Sequence, residues 1–62
     1  MYTYYVKIQT NAQETFEWFK VIKFKILDSR TVRVKYINGY GIVSKGTFDL
    51  ESTIMKVEVT IE

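Results

Sequence analysis

The chain has no cysteine, no histidine and no proline. Without cysteine there is no disulfide framework, the usual staple of so small a domain. Without histidine or cysteine there is no imidazole acid–base pair, no thiol nucleophile and no common ligand set for structural zinc. Without proline nothing breaks a strand or blocks an exposed strand edge. Glycine is also scarce. Gly39, Gly41 and Gly46 are too scattered to form a GxGxxG or GxxxxGK[ST] phosphate cradle. The expectation is a non-catalytic binding module with no cofactor and no metal.

Two further absences bear on location. Met1 to Thr10 lacks the basic start and apolar block of a signal peptide. No apolar run approaches the roughly 20 residues that span a bilayer as a helix. A cytoplasmic protein with no membrane partner is expected.

What is present is a dense set of apolar side chains. Of 62 residues 47% are hydrophobic, and one Trp, five Tyr and four Phe supply the aromatics, too many for a disordered chain. The length makes one domain, residues 1–62. Such a domain buries only about 60% of its unfolded surface, so its stability is marginal. A tight core must compensate, or a homodimer must.

Tyr2 to Thr10 alternates, with Tyr4, Val6 and Ile8 on one face, as in a half-buried strand. Asn11, with Glu14 three residues on, resembles a helix N-cap and capping box. A helix is then expected over Ala12 to Lys20, docking Phe16 and Phe19. Period two returns at Ile22, Phe24 and Ile26, then at Val32, Val34 and Tyr36 beyond a turn at Asp28-Ser29-Arg30. Three-residue loops at 37–39 and 44–46 would each end in glycine. They would pair Tyr36 with Tyr40, Val34 with Ile42 and Ile42 with Phe48. Thr53 to Ile61 closes the chain. The expected fold is α+β, in the order β-α-β-β-β-β. One short helix packs on a twisted antiparallel meander that curls toward a partly open small barrel.

Charge is unevenly placed. Residues 20–35 hold six cations against Asp28 alone, whereas the remainder is acidic. A three-residue loop at 28–30 pairs Ile26 with Val32, Phe24 with Val34 and Ile22 with Tyr36. It also sets Lys25 opposite Arg33 and Lys23 opposite Lys35. Like charges directly opposed destabilise a sheet by up to about 1 kcal/mol per pair. Either Glu51, Glu58 or Glu62 from neighbouring strands neutralises these four cations, or the face stays positive to receive an anion such as nucleic-acid phosphate. In the second case Tyr5 and Tyr2 offer stacking surfaces nearby.

Trp18 is the other residue of interest. It either anchors a protein partner or lids the core edge. Two readings of function therefore stand side by side. One is a nucleic-acid-binding domain using Lys23, Lys25, Arg33 and Lys35. The other is a protein-binding adaptor or inhibitor, of the phage or mobile-element accessory type, using Trp18 and an open strand edge. A third and weaker reading places a divalent cation at Asp49, Glu51 and Glu58. Those carboxylates equally well solvate an edge.

Overall fold

A computed structural model describes residues 2–62. It holds five strands: β1 Tyr4–Thr10, β2 Thr15–Ile26, β3 Thr31–Ile37, β4 Val43–Asp49 and β5 Ile54–Ile61. All pair antiparallel in one open sheet of order β4-β3-β2-β1-β5. Among the described residues there is no helix, so the fold is all-β rather than α+β.

The expected helix over 12–20 is the N-terminal part of β2. Asn11 caps nothing. The Thr10 N–H donates to the Glu14 carbonyl at 2.9 Å and the Gln13 N–H to the Thr10 carbonyl at 3.0 Å. Gln13 is left-handed, with φ +62°. This is a three-residue hairpin loop whose last residue takes the left-handed position. The cause lies in the pattern of Thr15 to Phe19, which satisfies period two as well as a helical spacing. Phe16 and Trp18 turn inward while Thr15, Glu17 and Phe19 turn outward, so Phe16 and Phe19 do not share a face. Aromatic and β-branched side chains fit the pleat. A nine-residue helix has little stability alone, whereas β1 offers this segment a complete ladder.

Two turns also move. The Asn38 N–H donates to the Ile42 carbonyl at 2.9 Å, so the loop is Gly39-Tyr40-Gly41 and not 37–39. Asn38 organises it, its Oδ1 accepting from the N–H groups of Tyr40 at 2.9 Å and Ile42 at 3.1 Å. Gly41 supplies the left-handed residue at φ +77°, a region open to glycine at little cost. The shift of two residues preserves the faces but sets Tyr36 opposite Ser44 and Val34 opposite Gly46. There is no turn at Ser44-Lys45-Gly46, which lies inside β4. Gly46 is there because the Phe48 ring covers it. A β-carbon at that position would meet the ring at 3.2 Å.

The register of β1, β2 and β3 breaks twice, each time with the extra residue on β2. Val6 faces Trp18 and Tyr4 faces Val21, so Phe19 and Lys20 together oppose Tyr5. Val21 faces Tyr36 and Lys23 faces Lys35, leaving Ile22 extra. Such bulges bend a strand and raise its twist. The bend is large. Phe48 opposes Val32, which opposes Ile26. Trp18 lies eight residues from Ile26, about 26 Å along an extended strand. Yet the Trp18 and Phe48 ring centroids are 5.6 Å apart. The sheet is folded over its own inner face.

That inner face is the core. Val6, Ile8, Val21, Val32, Val34 and Leu50 are buried, and Phe16, Trp18, Phe24 and Phe48 pack against them. Leu50 belongs to the crossover from β4 to β5. Its N–H donates to the Arg30 carbonyl at 2.8 Å, Ile54 N–H to the Ser29 carbonyl at 2.8 Å and Asn11 N–H to the Thr53 carbonyl at 2.9 Å. One short segment thus ties together the two hairpin loops at that end of the molecule.

Gly46→Val is expected to destabilise the fold by about 1–3 kcal/mol through overpacking against Phe48. Gly39→Ser, in open space, should stay within about 0.5 kcal/mol of wild type. Urea denaturation of both variants measures the contrast.

Candidate nucleic-acid interface

The outer face of the β2–β3–β4 half is built by alternation. Val32 and Val34 face the core, so Arg33 and Lys35 face solvent. The hairpin places Lys25 opposite Arg33 and Lys23 opposite Lys35, in the expected register. The pair expected at Ile22 and Tyr36 is displaced by the bulge to Val21 and Tyr36. The third strand adds a cation that sequence reasoning missed, because Lys45 sits opposite Lys35. One row across three strands therefore reads Lys23, Lys35, Lys45. The next reads Lys25, Arg33, Thr47, where Arg33 Nε reaches Thr47 Oγ1 at 3.5 Å. All five cations are exposed. Their side chains border an open depression of about 300 Å³.

No carboxylate is bonded to any of them among the described residues. The ion pairs there are Arg30 with Asp49 at 3.8 Å and Lys56 with Glu58 at 2.9 Å. The acids considered as neutralisers are engaged or distant. Glu58 lies on β5, at the opposite edge of the sheet, where Lys56 and more weakly Lys7 hold its carboxyl below the usual range. The Glu62 carboxylate accepts from the Lys20 N–H at 2.9 Å and from Thr3 Oγ1 at 3.3 Å. Glu51 lies in the turn after β4, in a left-handed conformation. The nearest acid on this face is Asp49, at the far end of β4, where Arg30 meets it. Asp28 caps the hairpin loop. Its Oδ1 accepts from the Arg30 N–H at 2.9 Å, a bond that leads the lowering of its pKa.

The other half of the same outer face shows a different arrangement. Lys7 on β1 is flanked by Glu17 on β2 and Glu58 on β5, an alternating row of acid, base, acid. The five cations account for more than the whole net charge of +2. Four cations and seven acids make up the rest of the chain, a net −3. The positive field is confined to one side.

Trp18 sits on the inner face of β2, opposite Val6 and half-buried. It packs between Phe16, with ring centroids 6.4 Å apart, and Phe48. It therefore serves the core rim on its inward side. Asp49, Glu51 and Glu58 are not brought together. Asp49 on β4 and Glu58 on β5 belong to the two sheet edges, Glu51 lies in the turn between these strands, and no group of three acids able to hold a metal occurs among the described residues. Both edges are open, and the residues exposed along β5 include Met55, Val59 and Ile61. Among the described residues no helix is long and apolar enough to cross a membrane.

No protein-family model, curated protein or solved structure matches the chain.

Lys35 lies at the centre of the like-charge row. Lys35→Glu turns two repulsive cross-strand pairs into attractive ones, each worth roughly 0.2–1 kcal/mol. The variant should be more stable than wild type by about 1 kcal/mol in low salt, raising the melting temperature by about 4–8 °C in so small a domain. The gain should shrink as salt screens the charges. Thermal melts at two salt concentrations report both effects.

Proposed function

We propose that this chain is a non-catalytic module that binds nucleic acid through its cationic outer face, with Lys23, Lys25, Arg33, Lys35 and Lys45 contacting phosphates. The carrying observation is the array itself. Five cations occupy two rows of a three-stranded surface without a carboxylate bonded to any of them, while the adjacent half of the sheet alternates its charges. Directly opposed like charges weaken the sheet. A partner bearing regularly spaced negative charge offsets that cost on binding and releases its own condensed counterions. Lys and Arg supply point-charge and forked contacts to phosphate respectively. A cytoplasmic setting accompanies this reading, since nucleic acid is available there.

Binding to another protein is the competing reading, and the open edges of β4 and β5 favour it, because each presents unpaired backbone groups.

Salt separates the two. Five phosphate contacts imply a log–log slope of affinity against salt near −3.5 for a single strand and near −4.5 for a duplex. Fluorescence anisotropy with labelled oligonucleotides between 50 and 200 mM salt, about 100-fold weakening being expected for a single strand and about 500-fold for a duplex, measures it. Lys25→Glu with Arg33→Glu should lower affinity at least about 100-fold while leaving the melt cooperative. Affinity that is flat with salt, or a charge-reversed variant that binds like wild type, would overturn the proposal.

A further inference from the structure

We infer that the nucleic acid is single-stranded, and that Phe19, backed by Tyr5, is a stacking platform for one of its bases. The inference rests on the reading of the cationic face as a phosphate site. It starts from a residue that the core does not need. Phe19 is 58% exposed on the outer face, although a phenyl group is among the most costly side chains to leave in water. Its ring meets Tyr5 on the neighbouring strand, with centroids 5.1 Å apart and planes tilted by 38°. The position comes from the bulge. Phe19 and Lys20 together oppose Tyr5, and Lys20 takes the left-handed conformation at φ +54°. Bulges of this kind re-aim a side chain.

The placement relative to the cations matters most. Along β2 the outward residues run Glu17, Phe19, Lys23, Lys25, with Lys20 also exposed at the bulge. Phe19 thus precedes the cation rows on the outer face, at most about 13 Å from Lys23 along the strand. A few nucleotides cover that distance. Beyond the aromatic pair stands the row Glu17, Lys7, Glu58, whose two carboxylates repel phosphate. The surface therefore has a direction, with phosphates on the cation rows, a base at Phe19 and an acidic boundary past it. Tyr5 adds no charge. Partial burial, and then the Glu17 carboxylate, raise its phenol pKa further above neutrality.

A duplex cannot use this platform without unstacking, because its bases are already stacked on one another. A cationic surface beside an exposed aromatic ring is the combination that holds unpaired strands without sequence preference.

The test uses three probes at one salt concentration: an oligothymidine, a duplex of equal length, and inorganic polyphosphate, which has charge but no bases. Wild type should bind the oligothymidine more tightly than the duplex. Phe19→Ala should lose about tenfold on the oligothymidine and nothing on polyphosphate. Phe19→Leu keeps apolar contact with Tyr5 and should show the same selective loss, which separates stacking from folding. Phe19→Trp should retain affinity. Equal losses on oligothymidine and polyphosphate, or no loss on either, would overturn the stacking role while leaving the phosphate site standing. If none of the probes binds, the phosphate site falls and the platform falls with it.

Discussion

The structure depends on the bend in β2. Twelve residues form one strand that serves two neighbours, pairing with β1 through its first half and β3 through its second. The change of partner is made at two bulges, around Lys20 and Ile22. A non-glycine residue in the left-handed region costs roughly 1–2 kcal/mol. At Lys20 the N–H is held by the Glu62 carboxylate at 2.9 Å, so the distorted backbone keeps a strong partner. The return is a sheet that covers its own inner face. Five strands without a helix otherwise leave one face in water. Here the bend brings Trp18 onto Phe48 and closes a core of Val, Ile and Leu side chains, filling the part a helix would have played.

The same bend sorts the charges. On one side of it the outer face alternates acid and base across three strands. On the other side two rows carry cations without an acid, and Asp49 stands only at the far end of β4. Because β5 returns to pair with β1, its Glu58 lies at the edge farthest from the cations. Had β5 continued the meander beside β4, Glu58 could have stood next to the cation rows. The strand order keeps the like charges apart from the acids, at a cost in cross-strand repulsion that falls on stability. An uneven distribution of this kind concentrates the molecule's positive field on one part of its surface.

Much of this was legible in the chain. The hairpin from Phe24 to Val34 follows from period two and from a loop centred on Asp28-Ser29-Arg30, which together admit few registers that keep apolar residues on one side. The four cations on its outer face follow from the same parity. The segment 12–20 was not legible, since Phe16, Trp18 and Phe19 satisfy a helical stripe and a strand about equally over so short a window. Lys45 was missed because Gly46 resembled a turn residue. Its purpose is to lie under the ring of Phe48, a contact between side chains that no local pattern encodes. Phe19 was assigned to the core for the same reason that the helix was expected.

The sequence by itself determined which residues alternate, which turn residues could reverse the chain, and that imidazole and thiol chemistry were absent. These are local matters of side-chain type and spacing. Tertiary structure decided that the first half of β2 is a strand, that Lys45 joins the cations, and that Glu58 and Glu62 do not. Each of those outcomes turns on which strand lies beside which. Strand order is set by long-range pairing and by one folded-over core, and neither is written in the period of any single segment.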